Sequence, residues 1–219
     1  MAVRHGLSEK QFAEIVQTLE RFIFRYVTIC KVHPGKLADK YYAHCVRICE
    51  EKESYVVDDL ITDLRKLLEE DAPDSFFKSS LVERLQYSRS TSPMILYFLS
   101  TLEDYRDWYN AGAKSTPRRN ATGVYDISTL EVEHIYPQTP KIVNQDLEPL
   151  KHDLGNLSFL SPQDNKSVRN ADFSTKKVHY SNSNVSLNRD LGNLDSWSAR
   201  IVNERREKLI EMAVKVFTV

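Results

Sequence analysis

Glycine is scarce, with six residues in 219, so the chain lacks the material for a glycine-rich loop that cradles nucleotide phosphates. Cysteine is scarcer still. Cys30, Cys45 and Cys49 are an odd number without a Cys-x-x-Cys pair, which argues against a disulfide framework and fits a reducing, cytoplasmic setting. No apolar run approaches the ~20 residues of a membrane helix. Met1 to Lys10 lacks the apolar stretch of a secretory leader, so no membrane partner is expected. Neither charge sign dominates: 30 Lys and Arg face 31 Asp and Glu, for a net charge of −1. That excludes a histone-like polybasic protein. It leaves room for nucleic-acid binding, because a small basic face can sit inside a neutral total.

What is present in the first half is helical patterning. Ser8 with Gln11 has the spacing of a capping box. Phe12, Ile15, Val16, Leu19, Phe22, Ile23, Tyr26 and Val27 then recur as a buried helical stripe does. His33-Pro34-Gly35 breaks that helix. Leu37, Tyr41, Cys45 and Ile48 mark a second helix. Leu60, Leu64, Leu67 and Leu68 mark a third, with Asp58 and Asp59 in its first turn, where the helix dipole favours them. After the stop at Asp71-Ala72-Pro73-Asp74, a fourth carries Phe76, Phe77, Leu81 and Leu85. A fifth starts at Pro93 and runs through Leu102, Tyr105 and Trp108.

The pattern changes near Ala111. Residues 111–123 are rich in Gly, Ser, Thr, Pro and Asn, as an exposed connection is. Leu130 to Ile135 alternates apolar and polar and reads as a strand, and Leu157 to Ser161 reads as a second. Pro162 to Asn170 suits a short helix. Asp195 or Ser196 is placed to cap a final helix with the stripe Trp197, Ile201, Leu209, Ile210, Ala213 and Phe217. Lys166, Arg169, Lys176 and Lys177 cluster with only Asp172 among them, which makes a small basic surface.

The chemistry concentrates in Glu133-His134-Ile135-Tyr136-Pro137, Gly155-Asn156-Leu157 and Asn165-Lys166. Neighbours on a strand point to opposite faces, so Glu133 and His134 cannot grip one metal side by side without a bend. They can serve two roles around one reacting group. Glu133 offers hard oxygens suited to Mg²⁺. His134 titrates near neutrality and can take a proton from water. Asn165 offers an amide oxygen. A phosphodiester needs such a set: a cation for the leaving oxygen and a base for the water. Cys30, His33, His44, Cys45 and Cys49 also lie close in sequence. Their spacing is not that of a common zinc module, and burial of cysteine is the commoner reason for it.

The arrangement resembles the HNH, or His-Me finger, nucleases with their ββα-metal core. More specifically, residues 133–139, residues 154–160, Asn165, the Phe173-x-x-Lys176-x-x-x-Tyr180 run and the closing Trp197, Ile201, Arg205 and Leu209 resemble the C-terminal domain of GmrSD-type modification-dependent restriction endonucleases. The resemblance implies an α+β fold, mainly α. Residues 1–110 would be a helical scaffold or docking region and 111–124 a loop or linker. Residues 125–190 would be the nuclease core, and 191–219 a C-terminal helix packed on it. It implies His134 as general base, with Asn156 bracing the loop that holds it. Glu133 and Asn165 would ligate Mg²⁺ or Mn²⁺, and Lys166, Arg169, Lys176, Lys177 and Tyr180 would meet nucleic acid. The zinc-binding Cys-x-x-Cys pairs flanking many HNH cores are absent, as is normal for this branch.

The expected activity is metal-dependent nicking of DNA in a prokaryotic anti-phage restriction system. An NTPase-like domain or subunit absent from this chain is the implied partner. A homodimer is one route to a double-strand break, since one site cuts one strand. The competing readings are a docking module for DNA or protein with weak catalysis, and the same chemistry directed at RNA, because a backbone-reading nuclease can accept either.

Overall fold

Ser8 caps the first helix as its spacing predicts: its hydroxyl accepts from the Gln11 N–H at 3.3 Å while the Gln11 side chain accepts from the Ser8 N–H at 2.9 Å. In the computed structural model, which describes residues 4–120, 126–161 and 170–219, this helix is α1, Glu9–Ile23. It continues as a π-helical turn, Phe24–Ile29, closed by a Cys30 N–H to Arg25 carbonyl bond. The wider turn changes the helical phase. Phe24, Tyr26 and Ile29 are inside, whereas Val16 and Ile23, expected in the buried stripe, are exposed.

Next come α2, Gly35–Glu51; α3, Val57–Asp71, with Asp58 and Asp59 in its first turn; and α4, Asp74–Arg84. The break between α3 and α4 is held from inside. The buried Arg25 guanidinium donates to the Ala72 carbonyl at 2.6 Å and to Asp74 at 2.8 Å, answering carbonyls that a helix end leaves unpaired. His44 is buried, bonded to Tyr55 and Asp63, while Cys45 and Cys49 are exposed. The chain divides into two compact units, residues 1–81 with 217–219 and residues 82–216.

The second unit holds the strands. Helix α5, Ser92–Asp104, starts on Pro93 as expected, but Tyr105 breaks it and a short α6, Arg106–Asn110, follows. Strands β1, Glu131–His134, and β2, Leu157–Leu160, pair antiparallel, with Glu133 opposite Ser158 and His134 opposite Leu157. All four β2 residues are buried, because α5 packs against both strands and the later helix Ser186–Gly192 covers β2. The fold is therefore α+β and mainly α, as the sequence pattern predicts.

Helices α7, Phe173–Ser181, and α8, Ser186–Gly192, pack on each other. Helix α9, Ala199–Val216, lies against the turn that leads into β2. That turn requires Gly155: a Cβ there would sit 2.1 Å from the Val202 carbonyl oxygen of α9. The expected cap of α9 at Asp195 or Ser196 is displaced to Ser198, whose hydroxyl accepts from the Ile201 N–H. Trp197 thus precedes the helix instead of belonging to its stripe. It stacks on Phe173 at 5.5 Å within a core shared with Ile135, Tyr136, Tyr180 and Val202. The short helix expected at Pro162 to Asn170 lies outside the described residues except for Asn170.

Candidate active site

Strand β1 ends on the two residues the sequence singles out. Glu133 and His134 are both buried, at 3% and 5% exposure, so neither is a surface charge. Their partners form separate sets, as strand alternation demands. Both nevertheless line one cleft of about 530 Å³ with Tyr87, Glu131, Gln138 and Asn170.

The strand end is fixed by Asn156. Its side-chain oxygen accepts from the Tyr136 N–H at 2.8 Å, and its amide donates to the Tyr136 carbonyl at 3.0 Å and the Lys151 carbonyl at 2.8 Å. The Trp197 indole donates to the same oxygen at 3.0 Å. One fully buried amide thereby satisfies four groups and locks the chain two residues past His134. Arg205 of α9 adds bonds to the Gly155 and Leu157 carbonyls, at 2.8 and 2.7 Å.

His134 sits in an aromatic and amide cage. The Tyr87 ring meets it edge-on at 4.4 Å. His152 Nδ1 lies 3.3 Å from His134 Nε2, and the Gln138 amide lies 3.2 Å from Nδ1. Tyr87 also stacks on His152 and donates its N–H to the His152 carbonyl at 2.9 Å. Burial first, then the positive charge of His152, Lys176 and Lys151, pushes the His134 pKa down to about 3. Its imidazole is therefore neutral at physiological pH but, in this buried setting, a weaker base than the near-neutral titration expected from the sequence, because burial penalises the protonated form.

Glu133 turns the other way, toward α7. Its Oε1 accepts from Lys176 Nζ at 2.6 Å and from the Tyr180 hydroxyl at 2.8 Å. Lys176 also donates to the His134 carbonyl at 2.5 Å. Burial raises the Glu133 carboxyl and lowers the Lys176 ammonium, each opposed by the other's charge. Lys176 and Tyr180 were expected to meet phosphates at a surface. Both have 0% exposure and are instead spent on Glu133. The reason is that α7 is short and half-buried, and its inward positions are the two that reach β1. Lys177, the next residue, is half-exposed and lies 3.7 Å from Asp195. Asn165, Lys166 and Arg169 lie outside the described residues.

Two contributors carry no motif signal. Tyr87 comes from the loop before α5, and His152 from the turn before β2. His152 is exposed, yet it touches the candidate base.

Among the described residues no group of three or more His, Cys, Asp or Glu is gathered to hold a metal ion. A protein-caged zinc site needs three or four such ligands. A single carboxylate such as Glu133, completed by an amide and water, suits Mg²⁺, which keeps much of its hydration shell. Glu133, the described member of the expected ligand pair, offers a carboxylate of the kind such a cation takes, with its Oε1 held by Lys176 and Tyr180. No helix among the described residues is long and apolar enough to cross a membrane.

Residues 71–212 match the family described as GmrSD restriction endonucleases, C-terminal domain. No individual curated protein matches the chain. The family match encloses both strands, α7 and every residue of the cleft described above. The chain therefore belongs to the GmrSD restriction endonuclease C-terminal domain family and is a nuclease module of the restriction endonuclease class.

Proposed function

We propose that this module is an HNH-type, metal-dependent endonuclease that nicks DNA as the cutting part of a prokaryotic anti-phage restriction system. The observation that carries the reading is the end of β1: a neutral, caged imidazole on a polar cleft, directly after a buried carboxylate in the sequence.

The proposed roles follow from the contacts. His134 Nε2 faces His152, so a proton shared along that line leaves the Nδ1 lone pair, which meets the Gln138 amide at 3.2 Å, to accept a proton from water when that amide turns from it. The hydroxide so formed attacks phosphorus, and the bond to the leaving oxygen breaks. Gln138, beside Nδ1, is placed to orient that water. Glu133 and Asn165 would hold Mg²⁺ or Mn²⁺, which when bound supplies positive charge for the leaving oxygen. Lys166, Arg169 and Lys177 are the proposed backbone contacts. Cutting one strand per site makes nicking the elementary event, and an NTPase-like domain or subunit is the proposed controlling partner.

The test is cleavage of supercoiled plasmid by wild type and His134→Ala in Mg²⁺, Mn²⁺ and EDTA. Nicking that needs metal and falls by about 10²–10⁴-fold in the variant, with circular dichroism and DNA binding unchanged, is the expected result. Equal loss of DNA binding in His134→Ala would make the residue structural. Wild-type binding without cleavage in any metal would favour a docking module.

A further inference from the structure

The sequence places Lys176 in a basic cluster, but the fold removes it from solvent altogether. Among the described residues its ammonium meets two oxygens, Glu133 Oε1 at 2.6 Å and the His134 carbonyl at 2.5 Å. An ammonium taken out of water is costly to keep charged unless an anion meets it. Here that anion is Glu133, the carboxylate assigned to the metal. Tyr180, also fully buried, donates to the same oxygen from one helical turn further along α7. Helix α7 is anchored at its start by Asp172, which accepts from the Thr175 N–H at 2.9 Å. The pair is thus delivered by a capped helix instead of a wandering surface chain.

We infer that Lys176 is the resident counter-cation of Glu133 and competes with the divalent metal ion for that carboxylate. This deepens the reading of Glu133 as a metal ligand and rests on it. The physics is charge arithmetic. One carboxylate at −1 is already balanced by an ammonium at +1. A dication arriving at Glu133 meets a repelling charge within a few ångströms, in a setting that screens it far less than water does. Metal entry therefore requires Lys176 to give up its hold on Oε1. Lys176 acts as a positioning residue: it holds the Glu133 carboxylate toward α7 without metal, and it weakens metal binding. A purely structural lysine would do the opposite, since its loss would loosen Glu133 and weaken binding.

The test is Mn²⁺ titration of the full chain by calorimetry. Lys176→Met and Lys176→Gln should bind Mn²⁺ on the order of tenfold tighter than wild type, a coupling of ordinary size between two linked sites. Tyr180→Phe should stay within about threefold, because it removes a neutral donor and no charge. Glu133→Gln should lose Mn²⁺ binding. Unchanged or weaker binding in both Lys176 variants, with binding lost in Glu133→Gln, overturns the competition and leaves Glu133 as ligand. Wild-type binding in Glu133→Gln removes the ligand reading, and the competition with it. The Met variant leaves buried Glu133 the Tyr180 hydroxyl but no second described donor and can fail to fold; the Gln variant keeps a second donor. If both are unfolded in EDTA, a cooperative melt restored by Mn²⁺ supports the inference, and no restoration overturns it.

Discussion

The Trp197 indole and the Tyr136 backbone N–H converge on a single atom, the side-chain oxygen of Asn156, at 3.0 and 2.8 Å. The chain just past β1 and the lead-in to α9 are therefore joined through one amide. His134 lies two residues before Tyr136, so the aim of the candidate base depends on a group that need not touch substrate. This is the structural content of the Gly155-Asn156-Leu157 motif. Gly155 lets α9 approach, Asn156 binds what approaches, and Leu157 begins the strand that pairs with His134.

Asn156→Ala should destabilise residues 82–216 by about 3 kcal/mol. It strands the Tyr136 N–H and the Trp197 indole N–H in an interior without water, each costing ~1–3 kcal/mol, with some relaxation offsetting the sum. Urea unfolding followed by tryptophan emission reads this directly, since Trp108 and Trp197 both belong to that unit. A loss below about 1 kcal/mol would mean that water or a neighbour replaces the amide.

Acid should destabilise the wild type in a way that His134→Gln does not share. An unfolded histidine titrates near pH 6.5. The folded His134 stays neutral down to about pH 3, because burial disfavours its charged form. Between those limits the unfolded state binds the extra proton, so stability rises with pH across the window and is flat above it. Measured from pH 7 to pH 4, the stability of wild type should fall more steeply than that of the glutamine variant. Parallel profiles would show that His134 is solvated or already protonated.

How far the site could be read from sequence depended on how local each signal is. Glu133, His134 and Asn156 lie in short contiguous runs whose strand alternation and turn chemistry survive into the fold. Asn156 bonds both backbone groups of Tyr136. Lys176 did not read correctly, because a nine-residue helix with mixed polarity does not declare its inward face. Four cations within residues 166–177 suggested solvent, whereas burial of one of them is set by β1, some forty residues earlier in the chain. Tyr87 and His152 gave no signal, since their meeting with His134 is purely tertiary. The helices were legible from their periodicity. Their errors fall at the π-turn of Phe24–Ile29, at Tyr105 and at Trp197 ahead of α9, where the backbone departs from a regular turn, and at the stripe positions Val16, Cys45 and Phe76, which lie in regular helix but are exposed.

Tyr87 offers a test of the cage around the base. Its ring meets His134 edge-on at 4.4 Å with an interplanar angle of 87°, and stacks on His152 at 5.7 Å and 24°. Both contacts are made by the ring, and the loop carrying it is tied to His152 through a backbone bond. Tyr87→Phe keeps the ring and should retain nicking within about twofold, because edge-on and stacked contacts need only the aromatic face and edge. Tyr87→Ala opens one wall of the cleft and frees the imidazole to turn. A misaimed base loses reaction rate more than substrate affinity, so kcat should fall by roughly tenfold to a hundredfold while KM changes little. Initial-rate nicking assays over a range of plasmid concentrations separate the two parameters. A fall in Tyr87→Phe equal to that in Tyr87→Ala would transfer the role from the ring to its hydroxyl. A rise in KM alone would make Tyr87 a contact for DNA and leave the orientation of His134 to Gln138 and His152.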